Sequence, residues 1–128
     1  MEMPQFVGNG ILNKSISLAE VEKAINASKP NKAVGIDHVP NEALKCKDVI
    51  DIAHAFYNMC FKTSVFPDAW KVAIIKPIPK SARKDPYVPL NYRGISLLCC
   101  LNKIYTSILS TRLQSYLDTE NMIEYEQN

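Results

Sequence analysis

The sequence predicts an α+β fold: a helical N-terminal half, a two-stranded hairpin and a long C-terminal amphipathic helix. Three observations carry this reading. Apolar residues recur at spacings of three and four between Asp48 and Phe61, the period of a helix packed on a core. A β-branched run, Val72 to Ile78, is followed after a polar, proline-bearing stretch by a second short apolar run, Tyr92 to Leu98. Finally, Leu101, Ile104, Tyr105, Ile108, Leu109, Leu113, Tyr116 and Leu117 fall on one helical face. At 128 residues the chain is one domain's worth, enough to bury roughly two-thirds of its unfolded surface. With 47% apolar and 22% charged residues it has a globular composition, which excludes a disordered tail or linker.

The elements follow in order. In "ISLAEVEKAINASKP", Ser17 and Glu20 form an S-x-x-E capping box, and Ile16 and Val21 occupy the hydrophobic-staple positions. Val21, Ala24 and Ile25 make the apolar stripe, Glu20, Glu22 and Lys23 are assigned to solvent, and Pro30 bounds the helix. In "NKAVGIDHVPNEALK", Gly35 and Pro40 interrupt any regular element, which implies a loop leading into a short helix. Gly35 either makes a turn or lets backbone approach a partner closely, and the turn is the simpler account.

The next helix takes Asp48 as N-cap, with Val49, Ile52, Ala53, Phe56 and Cys60 toward the core. "FPDAWKVAIIKPIPK" turns at Pro67 and becomes a strand from Val72 to Ile78, with Val72, Ile74 and Ile78 on one face. Pro77 and Pro79 put it at a sheet edge, because proline cannot donate to a ladder. Lys80 to Leu90 then connects it to the Tyr92 to Leu98 strand as a long hairpin. In the last helix Asn102, Lys103, Ser107, Ser110 and Arg112 fall largely off the apolar face, which needs a large apolar partner.

Net charge is only +2, so bulk charge does not announce a nucleic-acid binder. Its distribution says more. From Lys71 to Arg93 there are four lysines and two arginines against one acid, Asp85, while Asp118, Glu120, Glu124 and Glu126 make an acidic, solvated end. Cys46, Cys60, Cys99 and Cys100 show no C-x-x-C pairing, which favours reduced thiols in a nuclear or cytoplasmic chain. His38 and His54 have no ligand partner at metal spacing and are read as structural. No apolar run approaches the length that spans a bilayer, so no membrane partner is expected. No G-x-S-x-G, H-E-x-x-H or P-loop occurs, and Asp37, Asp48, Asp51, Asp68, Asp85 and Asp118 each fit a turn, cap or surface position. No catalytic residue and no metal are assigned to this chain.

A hairpin rich in cations can fold over a polyanion, with Lys80 and Lys84 as mobile charges and Arg93 as a planar fork for phosphate oxygens. Each such charge-assisted hydrogen bond contributes roughly 1.5 to 3 kcal/mol, so two or three would hold a triphosphate. From these residues alone, solvated lysines guarding an edge strand are the simpler account. "RKDPYVP" also sets Arg83, Pro86 and Pro89 at the spacing of a basic residue followed by P-x-x-P, a polyproline-type ligand.

The order of segments is more telling than any one of them. "SLAEVEKAI", "NKAVGIDHVPNEALK", "FPDAWKVAIIKPIPK", "NYRGISLL", "LNKIYTSILSTRL" and "EYEQN" together resemble the N-terminal part of reverse transcriptases of non-LTR, LINE-type retrotransposons, from about residue 16 onward. The resemblance implies a truncated right-hand polymerase: an N-terminal extension over 1–15, then a partial reverse transcriptase domain over 16–128, the fingers and first approach to the palm. It implies that the loop of Lys32, Gly35, Asp37 and Pro40 lies against template and primer, and that Lys80 and Arg93 contact the incoming triphosphate. Lys84 and Lys103 join Lys32 and Gly35 as nucleic-acid contacts, and the helix bearing Lys103 and Arg112 leads toward the palm. Gly94 stands where the family often has proline after the arginine. The palm aspartates that hold two magnesium ions, including a Tyr/Phe-x-Asp-Asp motif, do not occur in these residues.

The expected function is therefore that of a fragment of an RNA-directed DNA polymerase, contributing template and nucleotide contacts and inactive alone. Magnesium is expected only for the intact enzyme. The implied partners are an RNA template, a DNA primer, a deoxynucleotide triphosphate, and either the missing palm or a second copy meeting the C-terminal helix. A residual nucleic-acid-binding module or a polyproline-type protein-interaction module is the alternative.

Overall fold

The computed structural model describes residues 10–82 and 84–120, in which three α-helices form a body and a two-stranded antiparallel sheet lies between the second and third helices in sequence. The α+β expectation holds. The EYEQN segment, Arg83, and the first nine residues lie outside the described residues.

Helix α1, Leu18–Ala27, begins as its sequence dictates. Glu20 N–H donates to Ser17 Oγ at 3.2 Å, and Ser17 N–H donates back to Glu20 Oε2 at 2.8 Å, satisfying two donors the helix itself leaves unpaired. Val21 and Ile25 are buried, as is Ile16 just before the cap. At the other end both the N–H and the hydroxyl of Ser28 bond Ile25 O.

The loop that follows is folded by side chains: Asn41 Nδ2 donates to Lys29 O at 2.8 Å, and Asn31 N–H donates to the Glu42 carboxylate. Gly35 and His38 close a turn through His38 N–H to Gly35 O at 3.2 Å, with His38 in the left-handed region at φ 54°. Gly35 is also buried. A Cβ there would lie 2.5 Å from Cys99 N and 2.7 Å from Leu98 C, so turn and close approach coincide, and the approached backbone belongs to this chain. A short 3-10 helix, Asn41–Lys45, then buries Leu44.

Helix α2, Lys47–Thr63, corrects two expectations. Its N-cap is Cys46, and Asp48 sits in the first turn, where a carboxylate still favours the positive end of the helix dipole. Its core stripe is Ile50, Ala53, Tyr57 and Cys60, whereas Ile52 is 68% exposed. The phase is set by Tyr57, whose ring joins an aromatic cluster and whose hydroxyl donates to Leu101 O at 2.9 Å. At the cluster's centre is Trp70, on the 3-10 helix Asp68–Lys71, with ring centroids of Phe56, Tyr57, Phe66 and Tyr105 at 5.6 to 6.3 Å. Such edge and tilted contacts are worth about 0.5 to 1.5 kcal/mol each beyond their burial.

His54 and Asn58 on α2 reach across to the residue before the α1 cap. Ile16 O lies 2.7 Å from His54 Nε2 and accepts from Asn58 Nδ2 at 2.9 Å, while Ile16 N–H donates to Asn58 Oδ1. His54 is thus a structural residue.

Helix α3, Cys100–Thr119, buries Cys100, Ile104, Tyr105 and Ile108 against α1 and the aromatic cluster. Further along, the sequence reading fails. Leu113 is 49% exposed, and the position turned inward is Arg112, only 8% exposed. Its Nε donates to Glu20 Oε1 at 2.7 Å and its Nη2 to Glu20 Oε2 at 2.8 Å, a bidentate pair; Nη1 bonds Lys14 O and Nη2 bonds Ser15 O at 2.9 Å. The guanidinium also lies 5.6 Å from the centre of the Phe61 ring. Glu20, assigned to solvent from sequence, is therefore the acceptor that makes a buried arginine tolerable, and Arg112 holds its carboxyl well below the usual range, at about 2. One side chain joins α3 to α1, to α2 and to the Lys14–Ser15 segment.

Candidate nucleic-acid interface

Strands β1, Ile74–Pro79, and β2, Tyr92–Leu97, pair antiparallel, with Ile74 opposite Leu97, Lys76 opposite Ile95, Ile78 opposite Arg93 and Pro79 opposite Tyr92. Val72, expected in the strand, precedes it. The next rung is closed by Lys80 N–H to Asn91 O at 2.8 Å. Because hydrogen-bonded and open pairs alternate in an antiparallel ladder, the inward N–H groups belong to residues 74, 76, 78, 93, 95 and 97. Pro77 and Pro79 thus sit where N–H would point away from β2, and the ladder loses nothing by having proline there.

The same register sorts the side chains. Ile74, Lys76, Ile78, Arg93, Ile95 and Leu97 share one face; Ile75, Pro77, Pro79, Tyr92, Gly94 and Ser96 share the other. Lys76 and Arg93 are diagonal neighbours on the first face, about 7 to 8 Å apart by sheet geometry. Lys76 belongs to the basic segment from Lys71 to Arg93, and only the register reveals that it flanks Arg93. Every β1 residue is exposed, and both strands pack chiefly on each other, so the hairpin stands away from the helical body.

Lys80 is exposed, and its Nζ donates to Leu90 O at 2.7 Å, which closes the base of the connecting loop. Arg93 is exposed, and its guanidinium makes no hydrogen bond or ion pair with any described residue. Lys84, with Asp85, Asn91 and Tyr92, lines a cleft of about 190 Å³ in the loop. The only acid of the segment, Asp85, accepts from Tyr87 N–H at 2.9 Å, and Tyr92 Oη donates to Pro86 O. Pro86 lies in a turn closed by Val88 N–H to Asp85 O, and Pro89 starts a 3-10 turn, so this stretch is folded rather than an extended polyproline helix.

The remaining sequence-predicted contacts lie elsewhere. Gly35 abuts Leu98 and Cys99, and Lys103 is on the first turn of α3, so both sit at the base of the hairpin. From there to Arg93 is roughly 16 Å of strand. Lys32 is exposed on the Gly35 loop. At this base burial pushes the Cys100 thiol up, Lys103 lowers it, and Asp37 and Glu42 raise it again. Lys103 therefore shares its surroundings with acids, whereas neither strand carries an acid beside Arg93 and Lys76. Burial likewise raises Cys60 and Cys99.

Beside the body, Phe66, Trp70, Tyr105 and Leu109 frame an apolar cleft of about 350 Å³. Among the described residues no group of three or more His, Cys, Asp or Glu side chains could hold a metal ion, and no helix is long and apolar enough to cross a membrane.

No family model matches the chain. Curated relatives do. It is 35% identical over 112 residues to a probable RNA-directed DNA polymerase from transposon BS of Drosophila melanogaster, which covers 86% of this chain and 12% of that protein. A probable RNA-directed DNA polymerase from transposon X-element, of the same organism, is 30% identical over 80% of this chain and 12% of its own length. The RNA-directed DNA polymerase from mobile element jockey, also of Drosophila melanogaster, is 30% identical over 85% of the chain. The chain spans about 12% of the length of the relatives it matches. Over the residues it spans, the chain is related in sequence to the RNA-directed DNA polymerases of non-LTR retrotransposons.

Proposed function

We propose that this chain supplies the fingers, and the start of the palm, of a right-hand RNA-directed DNA polymerase, and that its exposed hairpin holds the triphosphate of the incoming nucleotide. The observation that carries this is Arg93: a guanidinium with no partner among the described residues, on an exposed strand, diagonal to Lys76, in a segment whose one acid is engaged in its own loop. A planar fork beside a second cation suits the oxygens of a phosphate chain. Lys80 is bonded to Leu90 O, a contact it exchanges for a phosphate oxygen when nucleotide arrives.

The template and primer run past the base of the hairpin, where Gly35 and Lys103 lie, and along the exposed loop that carries Lys32. Lys84 contributes from the loop cleft. Copying RNA into DNA would require palm carboxylates and magnesium from other parts of the polymerase, so this chain's own residues bind and orient. The cleft of Phe66, Trp70, Tyr105 and Leu109 is where the rest of such a polymerase, or a second copy, covers the body. Activity would take place in the nucleus or cytoplasm, where RNA and nucleotides are found.

The test is equilibrium binding of a deoxynucleotide triphosphate, and separately of an RNA–DNA primer-template, to the full chain and to Arg93→Ala. Losing one charge-assisted contact should weaken triphosphate binding about tenfold or more. Primer-template affinity should fall steeply with salt in both proteins. Unchanged triphosphate affinity in Arg93→Ala would overturn the assignment.

A further inference from the structure

The hairpin has two outer edges, and they are not equivalent. On β1 the residues whose N–H groups point outward are Ile75, Pro77 and Pro79, so two of three positions lack a donor. On β2 the outward positions are Tyr92, Gly94 and Ser96; Tyr92 N–H already donates to Pro89 O, so Gly94 and Ser96 present the outward N–H groups. One edge is blunted and the other is a ready template for a further strand. A two-stranded sheet is marginal in water and gains from a third strand. Glycine at 94 matters here: a proline would remove the central outward donor while leaving the inward ladder to β1 whole.

We infer that the β2 edge binds an extended, acidic peptide segment by strand addition. Charge selects this occupant. The face carrying Lys76 and Arg93 has no acid on either strand, and a second copy paired through β2 would bring two such cationic faces together. An antiparallel third strand would bond the N–H and C=O of Gly94 and Ser96, and the C=O of Tyr92, whose N–H is held by Pro89 O, and would set its own side chains beside Ile95 and then Arg93. Its sequence on that face is therefore apolar, any residue, acid, with the acid meeting the guanidinium and the apolar residue covering Ile95, which is now 42% exposed. This rests on the strand register rather than on the nucleotide reading, and the peptide's acid and a triphosphate would compete for Arg93.

The experiment uses the full chain and a fluorescein-labelled nonapeptide of alternating valine and threonine carrying one glutamate two residues after a valine. Fluorescence anisotropy should show saturable binding, weakened about tenfold by replacing the glutamate with lysine and about 3- to 10-fold by Gly94→Pro. A Cβ at 94 would lie 3.4 Å from Ile75 Cγ2, ordinary contact, so that variant should fold, which circular dichroism verifies. Two N-methylated peptides leave the protein untouched: methylation of the amides facing β2 should abolish binding, and methylation of the alternate set should not. Equal loss from either methylation pattern, equal binding of polyglutamate, or capture of an RNA oligonucleotide but not the peptide would each overturn the proposal.

Discussion

The helical body and the hairpin solve opposite problems. In the body, polar groups are spent inward: Arg112 is buried on Glu20, Asn58 and His54 grip Ile16, and Tyr57 is tied to Leu101 O. In the hairpin, apolar and cationic side chains alternate on an exposed surface, and the best hydrogen-bond donor, Arg93, is left without a partner among the described residues. The body uses its cation to fix structure; the hairpin keeps its cations available. The proposed triphosphate contact rests on that contrast, because a guanidinium already satisfied by carboxylate and carbonyls has nothing left to offer a phosphate.

The contrast can be broken first at Arg112. Arg112→Met should destabilise the chain by about 3 kcal/mol, because it leaves the Lys14 and Ser15 carbonyls and the Glu20 carboxylate without their partner. Chemical denaturation measures this. Arg112→Lys should recover little, since an ammonium cannot reproduce the bidentate geometry.

Core phase in α2 gives the next effect. Ile50→Ala should cost about 2 to 3 kcal/mol, and Ile52→Ala, on the exposed side, under about 0.5 kcal/mol. Gly35→Ala should cost about 2 kcal/mol, because the new methyl meets backbone atoms of Leu98 and Cys99 that cannot rotate away.

Acidity sharpens the same ion pair. Glu20 titrates at about 2 in the fold against a usual 4.5, so the stability it brings is whole above about pH 4.5 and is lost as pH falls toward 2. A denaturation series over that range should show the decline, and Glu20→Gln should remove this part of it. The smallest stability change is expected at Arg93→Ala, within about 0.5 kcal/mol, even though that variant should lose most in triphosphate binding.

Local chemistry was legible in the sequence and long-range chemistry was not. The Ser17–Glu20 box is complete within four residues and formed as read. Pro77 and Pro79 announced an edge strand, since no fold gives proline an N–H. The phase of α2 was ambiguous because Val49, Ile50, Ile52, Ala53, Phe56 and Tyr57 offer apolar atoms over much of its circumference, and the choice fell to Tyr57's contacts with Trp70 and Tyr105 far along the chain. Arg112 looked like a surface residue because its partner, Glu20, is 92 residues away. Of the candidate site, the cationic hairpin was readable from composition and resemblance. The diagonal placement of Lys76 beside Arg93, and the separation of that tip from Gly35 and Lys103, needed the strand register.

Native-state hydrogen exchange on the full chain, with and without a deoxynucleotide triphosphate, tests the division of labour most directly. Amides of α2 around Tyr57 and of α3 around Ile108 should exchange only through global unfolding, hairpin amides should exchange faster, and triphosphate should slow the hairpin alone. Hairpin amides as protected as those of α2 without ligand, or triphosphate protection confined to the helical body, would contradict it.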